Sequence, residues 1–364
     1  MSDFLLAIKE KALANKALSK EEALRIVECS DTELMELVTA AKYVREAYYG
    51  TRVKLNYLVN VKSGHCSEDC SYCAQSKVSN APIDKYALMS AEAIIAHVER
   101  GLKMGATRAC LVASGRGPGD RDLDEFCGAV KKLKEKYPGL EVCASMGFLK
   151  NEQGKSLKEA GVFAYNHNIN TSAAHYEKIC ATHSFNDRLG TIKKIRSEGL
   201  YCCSGVLAGM GETDADLVEM AFTLREQQVN AIPVNFLMPI PGTALEYTNC
   251  LTPQRCLKIL ALFRFVNPTV ELRIAGGREV HLRHLQPLGL MVANSIFIGD
   301  YLTTKGQNPI RDLEMIRDLG YQIEGKPGDF VDSILQYQSP SFDLQLASHK
   351  GELKHVQKLE TLNA

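Results

Sequence analysis

Three cysteines fall within the short stretch GHCSEDCSYCAQS: Cys66, Cys70 and Cys73. A C-x3-C-x2-C spacing lets three thiolates converge on one metal centre, yet a closed tetrahedral site needs a fourth ligand. Three readings fit. Structural zinc would draw its fourth ligand from elsewhere in the chain, although closed zinc sites usually pair their cysteines two by two. Unligated thiols in a loop would stand open to oxidation. An iron–sulfur cluster on three thiolates would keep one iron open, and an open coordination position marks a catalytic metal centre.

A second set of chemically able residues is spread along the chain. Cys110, Cys143, Cys203 and Arg273 lie at central positions of short apolar runs, and Asn166, Asn168, Asn170 and Asn235 lie in or just after such runs. Alternate side chains of a strand share a face, so the three asparagines 166, 168 and 170 point one way and His167 the other. By the same rule Arg108 shares a face with Cys110, Glu271 shares one with Arg273, and of the neighbours Cys202 and Cys203 only one can point inward. A buried cysteine alone behaves as a small hydrophobe. A buried arginine or a ladder of asparagines must instead find hydrogen-bond partners or bear the cost of desolvation. An interior holding a second metal centre and a polar ligand accounts for all of them together.

The elements that would position these residues alternate strictly. Eight β-rich runs, at 53–61, 108–114, 141–147, 162–170, 201–209, 232–238, 270–277 and 293–300, are separated by amphipathic helical stretches such as SAEAIIAHVERGLKMG. Alternation of this kind predicts a parallel sheet. Eight strand–helix units over roughly 250 residues match the size of a (β/α)8, TIM-type barrel, with an open doubly wound sheet as the rival. The cysteine loop directly follows the first run, where a barrel carries its active site. Residues 1–50 read as N-terminal helices packing on the barrel, opened by capping boxes at Ser19 with Glu22 and Ser30 with Glu33. The barrel is expected over 51–323, and 324–364 as a short C-terminal tail, mobile or holding short helices.

Lys plus Arg and Asp plus Glu both total 43 of 364 residues, so no charge excess favours nucleic acid or an anionic membrane. The first twenty residues carry charges through their apolar stretch and do not read as a signal peptide, and no apolar run approaches membrane-spanning length. These features predict a cytoplasmic protein. In that setting twelve cysteines point to metal or redox chemistry more than to disulfides.

The Cys66–Cys73 loop, with Tyr72 just before its last cysteine, resembles that of the radical S-adenosylmethionine enzymes. With VASGRGPGDRD, YNHNINTS, CSGVLAGMGET, IPVNFLMPIPGTALE, LRIAGGREV and ANSIFIGDYLTT the resemblance narrows to the biotin synthase family, over about residues 50–323. The resemblance implies a (β/α)8 barrel, usually homodimeric, that converts dethiobiotin to biotin. Cys66, Cys70 and Cys73 would hold a [4Fe–4S] cluster, with S-adenosylmethionine completing the open iron. Its reduction would yield a 5′-deoxyadenosyl radical that abstracts hydrogen from unactivated carbons. Cys110, Cys143, Cys203 and Arg273 would hold a [2Fe–2S] cluster that donates the sulfur. Asn168 and Asn235 would bind the dethiobiotin ring, with Asn166 on the same face. Arg188 would pair with the methionyl carboxylate, against the alternative of an ordinary surface ion pair. Tyr72 and Asn170 would complete the cofactor site, Asn170 standing where several relatives have an aspartate. A reducing protein such as flavodoxin or ferredoxin is the implied electron partner.

Two alternatives keep part of the pattern. A single-cluster radical enzyme, a maturase or mutase on the same barrel, would need the loop cysteines but not the interior set. A non-enzymatic iron–sulfur or zinc protein would need neither Arg273 nor the asparagines. GRGPG (115–119) and GMGE (209–212) lack the spacing of phosphate loops, the second being expected to bring backbone toward the cofactor. His65 reads as solvent-facing, and Cys29, Cys127, Cys180, Cys250 and Cys256 receive no role.

Overall fold

The eight apolar runs become the staves of a closed parallel barrel. In the computed structural model, which describes residues 1–150 and 152–338, the strands are β1 (Arg52–Lys62), β2 (Arg108–Ala113), β3 (Glu141–Ser145), β4 (Ala164–Asn166), β5 (Tyr201–Cys203), β6 (Val206–Ala208), β7 (Ala231–Phe236), β8 (Glu271–Ile274), β9 (Ser295–Ile298) and β10 (Gln322–Ile323). Pairing runs in chain order from β1 to β5, β7 takes both β5 and β6, β8 and β9 follow, and β1 pairs with β9 to close the ring. The barrel reading therefore holds over the open sheet. Buried on both faces, these strands read as apolar runs and not as alternating ones.

The fifth stave is split, and the split has a cause. Ser204 and Gly205 separate β5 from β6, and a Cβ on Gly205 would stand 1.9 Å from the Pro233 carbonyl oxygen. Only glycine lets the two backbones approach so closely. The neighbouring stave bends with it: Asn170, at φ 67°, bridges to Val206, donating its N–H to the Gly205 carbonyl at 3.2 Å and accepting from Leu207 N–H at 2.8 Å.

The helices form where capping and apolar stripes demand them. Ser90 accepts from Ala93 N–H and opens Ala91–Lys103, whose Ile94 and Val98 are buried four residues apart. Both capping boxes of the N-terminal layer form, the second opening a short 3-10 turn before the helix Leu34–Tyr49. That layer packs on the helix Pro253–Val266, which explains why every residue from Cys256 to Val266 is buried: it has barrel on one side and helices on the other. Arg264 survives there because it donates to the carbonyls of Val292, Pro268 and Val270 and to Asn294 Oδ1.

Beyond the barrel, β10 adds to β1, and the helix Phe330–Gln338 follows with Val331 and Leu335 buried. The first part of the expected tail is thus packed structure. The remainder, 339–364, lies outside the described residues.

Candidate active site

The loop after β1 folds back on itself through its own polar atoms. Cys73 N–H donates to Cys70 O at 3.2 Å, Ser76 N–H to Cys73 O at 3.0 Å, and Gly64 N–H to Gln75 Oε1 at 3.0 Å. These turns bring Cys66, Cys70 and Cys73 to the wall of one cavity of about 380 Å³ at the barrel mouth. Burial pushes the Cys73 thiol up to about 11, and a hydrogen bond with Cys180 together with burial pushes Cys70 far up. The nearby Arg188 guanidinium lowers both thiols without outweighing these effects, so the donor set suits a soft metal centre that deprotonates its ligands on binding. His65 is exposed, as expected.

Deeper in the barrel, register sets the second group. Cys110 and Cys143 are direct partners across β2 and β3, and Cys203 is paired with Ala231. The three thiols cluster with Ala164, Ala231 and Ala275, small side chains that leave room where branched residues would ordinarily fill the interior. Cys203 points inward, while Cys202 is buried in the outer core. Arg273 Nη1 approaches Cys203 Sγ at 3.8 Å, and Asn166 Nδ2 approaches it at 3.3 Å. Cys143 shares protons with both neighbours: its own thiol is driven well up, Cys110 is lowered, and Cys203 falls to about 6 with further help from Arg273. Three thiols, a guanidinium and vacant-side alanines fit a sulfur-rich cluster.

Under the thiols, an ion-paired column fills the barrel. Arg273 and Arg108 both bind Glu271, Arg108 also binds Glu141, and Lys54 binds Glu141 and Glu324. Arg108 and Arg273 are each only 1 % exposed, so these carboxylates are what make their burial tolerable. Burial pushes the Glu271 carboxyl up, but the two guanidiniums outweigh it and hold it well below the usual range.

Above the thiols lie the asparagines. Asn166 Nδ2 donates to Asn168 Oδ1 at 2.9 Å, and Asn168 Oδ1 also accepts from Gly205 N–H at 3.0 Å. Asn235 is locked by Val206 O and Gly276 N–H, both at 3.0 Å. All three line the cavity, and among the described residues the amide nitrogen of Asn168 has no partner. Asn170 Nδ2 donates to the Tyr72 hydroxyl at 2.6 Å, joining the two stretches. His167 packs edge-on against Phe148, although it too reaches the cavity wall. Arg188 is no surface ion pair: it is buried, donating to Asn168 O at 3.0 Å, His183 Nε2 at 2.9 Å and the Tyr176 hydroxyl.

One expectation is corrected. The Gly209–Glu212 turn does not line the cavity; its Gly209 and Met210 N–H groups are taken by the Glu212 carboxylate at 2.6 and 2.7 Å. Within 115–119, Gly117 serves close packing, since a Cβ there would meet Phe148 O at 2.4 Å, while Gly115 lines the cavity. Sequence reasoning missed Lys54 and Glu141, whose role follows only from the register between strands, and it missed Cys180. That thiol lies 3.9 Å from Cys70 Sγ, across a contact between distant loops that no local spacing announces.

Residues 60–224 match the family model of the Radical SAM superfamily, and 233–322 match that of the Biotin and Thiamin Synthesis associated domain. HydG, a maturase of the [FeFe]-hydrogenase, has a TM-score of 0.76 at 20% identity, covering 92% of this chain and 78% of its own. Methylornithine synthase has a TM-score of 0.74 at 19% identity, covering 90% and 100%. At that identity these likenesses attest the fold alone. Barrel, thiol-bearing mouth and family model together define a radical S-adenosylmethionine enzyme, a class that uses a [4Fe–4S] cluster with S-adenosylmethionine. The biotin synthase of Geobacillus kaustophilus (strain HTA426) is 52% identical over 322 residues, 88% of this chain and 96% of its own. That of Saccharopolyspora erythraea is 52% identical over 324 residues, 89% and 91%. The chain belongs to the biotin synthase family, sulfurtransferases that form biotin by radical sulfur insertion.

Proposed function

We propose that the two thiol sets divide the work of making biotin from dethiobiotin: the loop cysteines generate the radical and the interior cysteines supply the sulfur. The observation that carries this reading is that Cys110, Cys143 and Arg273, with Cys203 packed against the two thiols, lie at the floor of the cavity whose rim carries Cys66, Cys70 and Cys73. When bound, a [4Fe–4S] cluster with S-adenosylmethionine supplies one-electron reductive cleavage to a 5′-deoxyadenosyl radical, and a [2Fe–2S] cluster supplies sulfur.

The chain's own residues bind and orient. Arg188 offers a buried guanidinium fork suited to the methionyl carboxylate. Tyr72 and Asn170, already bonded to each other, supply polar atoms for the rest of that cofactor. Asn168 presents its free amide nitrogen to the ureido ring of dethiobiotin, Asn235 gives a fixed carbonyl and amide beside it, and Asn166 ties Asn168 to Cys203. Arg273 stands against Cys203 as the fourth group of the interior site. The cavity excludes bulk water on its lower side through the Arg108–Glu271–Arg273 column. Reduction requires an electron donor, which we take to be a small reducing protein such as flavodoxin or ferredoxin. A cytoplasmic homodimer, built on one barrel of 51–323 with helices 1–50 packed against it, completes the reading; among the described residues no helix is long and apolar enough to cross a membrane.

The test is iron and sulfide content with Mössbauer spectra on anaerobically reconstituted protein, wild type against the C66A/C70A/C73A variant. A surviving [2Fe–2S] signal in the variant is expected. Loss of all iron there would sink the interior site and return the chain to single-cluster chemistry.

A further inference from the structure

Cys180 belongs to neither thiol set, yet its surroundings are not those of a core cysteine. The backbones of 69–71 and 179–182 are laced together: Ser71 N–H donates to Ile179 O at 2.9 Å, and Ala181 and Thr182 N–H donate to Asp69 Oδ1 at 3.0 and 3.1 Å. This lacing sets Cys70 against Cys180, with the sulfurs 3.9 Å apart. Cys180 Sγ also lies 3.3 Å from His183 Nδ1 and 3.7 Å from Nε2. All three ligand atoms, from Cys70, Cys180 and His183, fall within 4.8 Å of one another.

Those spacings match a coordination polyhedron. Metal–sulfur and metal–nitrogen bonds of about 2.3 and 2.0 Å give tetrahedral edges of roughly 3.8 Å between sulfurs and roughly 3.5 Å between sulfur and nitrogen. The imidazole is also held as metal-binding imidazoles are. Glu68 Oε2 takes the Nδ1 proton at 2.5 Å, which fixes the tautomer and leaves the lone pair on Nε2. Glu68 is itself anchored by Arg116 at 3.0 Å and Thr182 Oγ1 at 2.8 Å. Nε2 accepts from Arg188 at 2.9 Å, so a cation between the thiols has to displace that guanidinium and turn the imidazole toward Cys180.

We propose that the chain without its loop cluster binds one thiophilic divalent cation, of the ferrous or zinc class, between Cys70, Cys180 and His183. Binding releases the two thiol protons to solvent and changes no oxidation state. Because Cys70 is shared, the cation and the loop cluster exclude each other. Ferrous iron held here lies beside the thiols that receive it, whereas zinc held here blocks them. That competition rests on the reading of Cys70 as a cluster ligand; the cation site itself does not.

The experiment titrates the full-length, iron-free, reduced chain anaerobically with Co²⁺, counting equivalents by thiolate-to-cobalt charge-transfer absorption. Wild type is expected to take one equivalent more than Cys180→Val and Cys180→Ser, both checked for fold by far-UV circular dichroism, while a C66S/C73S variant keeps it. Any cobalt on the interior thiols is common to all four proteins and cancels. Glu68→Gln should weaken that equivalent about tenfold or more by freeing the imidazole. An equal cobalt count in wild type and both Cys180 variants, or loss of the equivalent in C66S/C73S alone, overturns the site. In parallel, Cys180→Ser is reconstituted with iron and sulfide in competition with zinc. Its loop cluster should form at zinc levels that suppress it in wild type, and equal zinc sensitivity overturns the competition while the cobalt count still judges the site.

Discussion

Glu271 and Arg273 stand two residues apart on β8, and the carboxylate of the first binds the guanidinium of the second at 2.5 Å inside the barrel. The same carboxylate receives Arg108 through both oxygens at 3.0 and 2.9 Å. Replacing Glu271 by Gln leaves two buried guanidiniums with less than one countercharge. The expected cost is about 3–5 kcal/mol of stability, read by urea denaturation. Interior iron content should fall with it while the loop cluster persists; an unchanged urea midpoint would show that the arginines find other partners.

Cys66→Ala and Cys143→Ala should separate two activities. The first abolishes cleavage of S-adenosylmethionine. The second permits cleavage while suppressing biotin formation, as measured by 5′-deoxyadenosine and biotin in the same assay. Equal loss of both activities in both folded variants would refute separate roles.

Among the described residues Asn168 has an amide nitrogen without a partner and an oxygen held by Asn166 and Gly205. Asn168→Ala removes the free donor, worth about 1–3 kcal/mol if it meets the ring. The dethiobiotin KM should rise roughly tenfold or more, with S-adenosylmethionine binding near wild type. A KM that does not move would place the ring elsewhere.

Arg188→Lys keeps the charge and loses the fork. Affinity for S-adenosylmethionine, measured by equilibrium dialysis on reconstituted enzyme, should drop by about tenfold or more. Retained affinity would reduce Arg188 to a support for Tyr176 and Asn168.

Asp216 accepts from Thr213 N–H at 2.8 Å and Ser172 Oγ at 2.5 Å, tying the loop after β4 to a helix start. Burial raises its carboxyl, but the hydrogen bonds from Ser172 and Thr213 outweigh this and hold it below the ordinary 3.8. A depressed carboxyl contributes stability that is fully present above its unfolded value and is lost as pH falls through the folded one. Asp216→Asn should therefore cost about 1 kcal/mol at neutral pH and flatten the loss of stability below about pH 4. Parallel acid limbs for the two proteins would contradict the assignment.

Much of this is legible in the sequence. Strand–helix alternation pointed to a parallel sheet, because parallel strands buried on both faces leave unmistakable apolar runs, and the count of eight units favoured a barrel over an open sheet. The period-two rule put Arg108 with Cys110 and Glu271 with Arg273 and allowed only one of Cys202 and Cys203 inside, since it depends only on local backbone geometry; the family resemblance chose Cys203. What stayed hidden depends on register between distant segments. Lys54 and Glu141 read as ordinary surface charges until β1 and β3 flank Arg108. Cys180 reads as a helix or loop cysteine until residues 69–71 and 179–182 are laced. The Gly209–Glu212 turn misled because a glycine pair advertises free amides, while the Glu212 that occupies them is only one turn away.

The Arg108–Glu271–Arg273 column separates the upper cavity from a second one of about 340 Å³ beneath it, lined by Lys54, Tyr201, Glu271 and Glu324. The upper chamber is therefore a cul-de-sac, and traffic through it has to queue. With the roles proposed above, a molecule seated against Asn235 would arrive before one that settles over the Cys66–Cys73 rim and would leave after it.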